Sequence, residues 1–120
     1  MAREYLIKTI QPFKIMTQTL TDQNFAAETA EGITVVDCWA AWCGPCKRLG
    51  PVIDKIADDY AGRVKVGKLD VDENMEIPQQ FGIMSIPTVL FFRNGELVDK
   101  TVGLVPESEI TRRIDAMLSK

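Results

Sequence analysis

The sequence predicts one α/β domain built on a mixed β-sheet, and three observations carry the prediction. Strand-like and helix-like segments alternate along a chain of 120 residues, a length that suits a single core needing neither disulfide staples nor a structural metal. The alternation runs βαβα and then changes to ββα, so a parallel half should join an antiparallel hairpin. Between the last two strand-like runs stands Asn94-Gly95, the dipeptide best suited to a two-residue type I′ loop.

Each element has its own cause. "ITVVDCW" (33–39) is β-branched and apolar enough for a buried strand. "CKRLGPVIDKIADDY" (46–60) puts Cys46, Leu49, Ile53, Ile56, Ala57 and Tyr60 at three-and-four spacing, the stripe of an amphipathic helix. Pro51 lies inside that helix, removes the backbone bond to Lys47 and should kink it. "VKVGKLDVD" (64–72) reads as the next strand, and "NMEIPQQFG" (74–82) as a short helical turn closed by Gly82. "PTVLFF" and "ELVDKTVG" flank the hairpin loop. The last helix, from about Pro106 to Leu118, opens on proline and acids and brings Ile110, Ile114 and Leu118 to one face.

Composition excludes several functions. Apolar residues make up 46% and charged residues 26%, the usage of an ordinary globular domain, and the formal charge is -3. Basic residues are scattered, so no nucleic-acid surface is expected. The N-terminus carries charges throughout and has neither an apolar core nor a small-residue cleavage site, so no secretory signal is expected. No apolar run reaches membrane-spanning length. The expected location is the cytoplasm, where thiols are held reduced and a close cysteine pair suggests redox chemistry or metal binding.

That pair lies in "DCWAAWCGPCKRLGP" (37–51). Cys43 falls where the strand ends and the helix begins, so first-turn N–H groups can point at its sulfur and favour a thiolate. Cys46 lies one turn further in, at a spacing that can close a small disulfide ring. Cys43 is therefore expected to be the exposed, attacking thiol, and Cys46 the more buried, resolving one. Gly44 permits close approach by another chain, and Pro45 suits an early helix position. Zinc is the competing use of two cysteines. The chain has three cysteines and no histidine, so four tetrahedral ligands would require carboxylates or a second chain.

Asp37 stands inside an apolar run. If buried there, its carboxyl is pushed toward neutral pH and can exchange a proton; if the strand ends earlier, it is solvated or caps the helix. Lys68, in the following strand, is the available cationic partner, or else a surface lysine on an edge. Cys38 points to the face opposite Asp37 and is expected to be a small core residue.

These residues together resemble the thioredoxin family: "VDCWA" followed by "WCGPCK", then "KLDVDEN", "FGIMSIPTVLFFRNGE" and "VG", in order from about Met16 to Lys120. The resemblance implies the thioredoxin fold, a central mixed β-sheet flanked by four helices, over residues 16–120. Residues 1–15 are then an N-terminal extension, and the β character of "YLIKTI" would suit an extra edge strand or a dimer contact. It further implies a redox-active disulfide between Cys43 and Cys46, with Asp37 as proton acceptor and Lys68 beside it. Trp42, Gly44, Pro45, Ile86, Pro87 and Gly103 would form an apolar docking face, with Pro87 in a cis peptide and Trp39 packed beneath.

The activity implied is that of a general protein-disulfide reductase. The thiolate of Cys43 attacks a substrate disulfide, and Cys46 then resolves the mixed disulfide. The Gly-Pro spacer has no charge with which to stabilise the thiolate further, so the protein should donate electrons rather than take them. No cofactor is expected in this chain, which shows no nucleotide-binding glycine pattern. Electrons would come from NADPH through a separate flavin-dependent thioredoxin reductase. Other implied partners are oxidised proteins such as ribonucleotide reductase, peroxiredoxins and methionine sulfoxide reductases, met by a monomer. Departures from the family pattern are Cys38, where an aromatic residue is usual, Ala41, and Met84-Ser85 beside Pro87. A docking module that makes no use of its thiols, or a disulfide oxidase or isomerase, are the alternatives.

Overall fold

The computed structural model describes residues 16–120. Their elements are β1 (Thr17–Leu20), α1 (Phe25–Thr29), β2 (Ile33–Trp39), α2 (Gly44–Asp59), β3 (Lys65–Asp70), α3 (Glu76–Gln80), β4 (Thr88–Arg93), β5 (Glu96–Val102) and α4 (Glu107–Leu118). The five strands form one sheet in the order β1-β3-β2-β4-β5. β3 runs parallel to β1 and β2, and β4 is antiparallel to β2 and β5. The mixed sheet is the one that the order of strand-like and helix-like segments predicts, and the four helices are those that the resemblance implies. The expectation for "YLIKTI" lies outside the described residues.

Side-chain alternation divides the core into two layers. On one side of the sheet, Val35, Val66, Val89 and Phe91 meet Leu49, Ile53 and Ile56 of α2 and Ile110 and Ile114 of α4. On the other, Val36, Cys38, Leu69, Leu90 and Phe92 meet Leu20, Phe25 and Ile77. Phe92 takes Phe25 and Phe81 edge-on, each at 5.3 Å between ring centroids, the arrangement that aromatic quadrupoles favour. Leu49, Ile53 and Ile56 are fully buried, and removing each from water contributes roughly 1.5–3 kcal/mol. The stripe on α2 is therefore what clamps this helix to the sheet.

Asn94 and Gly95 both take positive φ, 50° and 83°, as a type I′ loop requires. The Asn94 side chain also accepts a hydrogen bond from the N–H of Gly32 at 2.8 Å, tying the hairpin to the start of β2. α2 continues through Pro51 to Asp59. β1 and α1 were not expected from residue periodicity, because elements of four and five residues are too short to show one. α1 is instead held by reciprocal bonds: the N–H of Thr21 donates to Asn24 Oδ1 at 2.7 Å, and the N–H of Asn24 donates to Thr21 Oγ1 at 3.0 Å.

Candidate active site

The site begins where β2 runs out. After Trp39 the chain turns through Ala40–Trp42, and Cys43 becomes the N-cap of α2 in an extended conformation, with Pro45 in the first turn. Proline there loses no helical hydrogen bond, since the first N–H groups have no intrahelical partner. Cys43 and Cys46 are joined as a disulfide with their Cα atoms 5.2 Å apart. The N–H of Cys46 donates to Cys43 Sγ at 3.1 Å, so the helix terminus is aimed at that sulfur, where it favours negative charge. In this disulfide form Cys43 and Cys46 are 4% and 3% exposed. The expected contrast between an exposed and a buried thiol is therefore absent here, because the ring holds both sulfurs against Ala40, Trp39, Val71 and Ile86.

Around the disulfide lie the residues expected of a docking face. Trp42 is 70% exposed, and its indole N–H donates to the carboxylate of Asp72 at 2.8 Å. Trp42 and Ile86 line one shallow apolar depression together with Val71, Pro78, Ile83, Met84 and Ser85. Gly44 and Pro45 are exposed beside the disulfide. The Ile86–Pro87 peptide is cis, and Pro87 itself is buried. Its carbonyl accepts from the N–H of Gly103 at 2.8 Å, and Gly103 sits at φ +90°, a conformation that favours glycine.

Asp37 lies behind this surface, on the α2 side of the sheet. It is 1% exposed, so the solvated or capping alternative does not hold. Burial pushes its carboxyl from 3.8 up to about 6, with the Lys68 charge pulling it down and the Asp54 charge pushing it up. Lys68 is the in-register neighbour of Asp37 on β3, an interior strand of the sheet, so it is no edge lysine. Its ammonium nevertheless pairs with Asp54 at 2.9 Å, and Asp37 Oδ1 is buried without a hydrogen-bond partner. The expected pairing of Lys68 with Asp37 is thus replaced by one with Asp54.

Two residues near the site escaped the sequence reading, Asp54 and Asp72. Asp72 carries a signal in hindsight, since it follows β3 at the same end of the sheet as the start of α2. Asp54 carries one only when helical spacing from Gly50 is combined with the β2–β3 register. Cys38 is fully buried in the opposite core layer, and burial pushes its thiol up to about 12. Among the described residues no group of three or more metal-ligating side chains comes together, and no helix is long and apolar enough to cross a membrane.

Comparison with known proteins agrees with this geometry. The Thioredoxin family model matches residues 16–116. A protein of Chlorobaculum tepidum named Thioredoxin 2 is 50% identical over 97 residues, covering 79% of this chain and 89% of its own length. The Thioredoxin of Bacillus subtilis is 43% identical over 98 residues, covering 82% of this chain and 94% of its own. With such relatives along nearly the whole described domain, and a disulfide at the start of α2, the chain belongs to the thioredoxin family and is a protein-disulfide oxidoreductase working by dithiol-disulfide exchange.

Proposed function

We propose that this protein is a general disulfide reductase of the cytoplasm, a monomer that binds no cofactor and carries electrons to oxidised proteins. A separate flavin-dependent thioredoxin reductase regenerates its dithiol at the expense of NADPH. Its substrates are protein disulfides of the kind formed in ribonucleotide reductase, peroxiredoxins and methionine sulfoxide reductases. The observation that carries the reading is the Cys43–Cys46 disulfide at the N-terminus of α2, beside the apolar depression between Trp42 and Ile86.

Each step has a named agent. Trp42, Gly44, Pro45, Ile86, Pro87 and Gly103 receive an extended substrate segment. The thiolate of Cys43 attacks one substrate sulfur and expels the other as a thiolate, forming the mixed disulfide. Cys46 then gives up its proton, which Asp37 accepts, and attacks Cys43; the substrate sulfur bonded to Cys43 leaves as a thiolate, and the Cys43–Cys46 bond is restored. Two electrons pass from the pair to the substrate. Lys68 sets the electrostatic setting of Asp37.

The test is a redox titration of the pair against a glutathione or dithiothreitol buffer, followed by NADPH-coupled insulin reduction with thioredoxin reductase. A reducing potential close to the family's, with insulin reduction abolished by Cys43→Ser, is expected. A strongly oxidising potential would make the protein an oxidase, and the absence of a reversible couple would leave a docking module.

A further inference from the structure

A short chain of charges leads from the buried Asp37 to solvent. Asp37 is 1% exposed, the Lys68 side chain 26% and the Asp54 side chain 59%. Asp37 and Lys68 are paired across β2 and β3, and side chains in register on adjacent strands share a face. Lys68 leaves that position over Gly50, where an added Cβ would lie 3.9 Å from Nζ, and ends on the Asp54 carboxylate at 2.9 Å.

We infer that Asp54 is a positioning residue for proton transfer: by holding the Lys68 ammonium on the α2 surface, it keeps the buried Asp37 carboxyl without a direct cationic partner and able to take up a proton. The inference rests on the proposed role of Asp37 as proton acceptor. Its physical basis is competition for one ammonium. A buried carboxylate paired directly with Lys68 would be stabilised in its charged form and would release its proton too readily to act near neutrality. The Asp54 carboxylate offers the same ammonium a partner that stays hydrated, so the pair forms there at a lower desolvation cost. The charged groups that bear on Asp37 are Lys68 from β3 and Asp54 from α2. Its neighbour on β4 is the apolar Val89; the adjacent Cys38 thiol, which the Asp37 charge helps to push up, lies in the opposite core layer, and in the oxidised protein Cys43 and Cys46 are joined and do not titrate.

The test is the titration of the Asp37 carboxyl carbon by NMR in the oxidised protein. In Asp54→Asn the midpoint should fall by roughly half a pH unit or more, the scale of one nearby charge at an intermediate dielectric. Asp54→Glu should restore it. In a Lys68→Met background, Asp54→Asn should lower the midpoint by clearly less, since only the direct field of the Asp54 charge is then lost. The pH profile of mixed-disulfide resolution should shift to lower pH in Asp54→Asn by the same amount. An unchanged midpoint in Asp54→Asn overturns the inference, and so does an equal shift with and without Lys68, which would be the direct field of Asp54 alone. The titration reads Asp37 whether or not it accepts the proton in turnover; failure of that underlying role would appear separately, as normal resolution in Asp37→Asn.

Discussion

Lys68 stands beside Asp37 in the parallel register of β2 and β3, yet its ammonium bonds to Asp54 at 2.9 Å and leaves Asp37 Oδ1 with no hydrogen-bond partner. A carboxyl so placed, with burial holding it at about 6, passes between protonated and ionised forms near neutral pH. It suits proton exchange with a thiol better than a solvated aspartate does, since efficiency is greatest when a group titrates close to the working pH.

Asp37→Asn should therefore slow release of the substrate from the mixed disulfide, on the order of a hundredfold, the usual size of general base assistance. The first attack by Cys43 should change far less. Stopped-flow measurement of the two phases checks this, and equal slowing of both would remove Asp37 from the proton path.

The same carboxyl sets a pH dependence of stability. Its folded value of about 6 lies above the ordinary 3.8, so between these values the folded protein binds more protons than the unfolded chain. The raised group penalises folding least below 3.8 and increasingly as pH rises through about 6, by about 3 kcal/mol in all. Urea unfolding of the oxidised protein at pH 4 and pH 8 should show the loss, and Asp37→Asn should largely flatten it. An undiminished pH dependence in that variant would mean that other groups cause it.

Gly67→Ala should destabilise the sheet. An added Cβ would stand 2.5 Å from Leu20 Cδ1 and 2.6 Å from Cγ, and Leu20 is fully buried, so it has no free space to yield into. Overpacking of this kind costs about 1–3 kcal/mol, readable as a lower denaturant midpoint. A midpoint equal to the parent's would show that β1 moves aside freely.

Cys38 should be inert in the native protein. Its burial and raised thiol value leave neither access nor thiolate for reaction. Reduced native protein should take up alkylating reagent at Cys43 and Cys46 only, with Cys38 following on unfolding. Rapid labelling of all three by mass spectrometry would contradict this.

Met84, 93% exposed on the rim of the depression it shares with Trp42 and Ile86, provides a test of the docking face. Met84→Glu should raise KM for a protein disulfide several-fold while leaving the potential of the cysteine pair unchanged. An unaltered KM would place substrate elsewhere.

Much of this could be read from residues alone. Periodicity located β2 and α2 because seven and sixteen residues are long enough to repeat a pattern, and Asn94-Gly95 marked its loop because few side chains tolerate two successive positive φ values. The cysteine pair stood out by spacing. β1 and α1 passed unseen because they are short: β1 is held by its pairing with β3, and α1 by the Thr21–Asn24 bonds and by Phe25 seated against Phe92.

What the sequence by itself determined is chiefly local: a helix beginning on a cysteine, a Gly-Pro spacer that seats the second cysteine one turn later, and an acid embedded in an apolar strand. What tertiary structure decided is which groups meet. Strand register put Lys68 beside Asp37, the packing of α2 across the sheet delivered Asp54 to Lys68, and the disulfide ring buried Cys43 as deeply as Cys46. A residue's backbone preference acts over a few neighbours along the chain, whereas burial and charge pairing depend on distances across elements, and only the assembled core sets those.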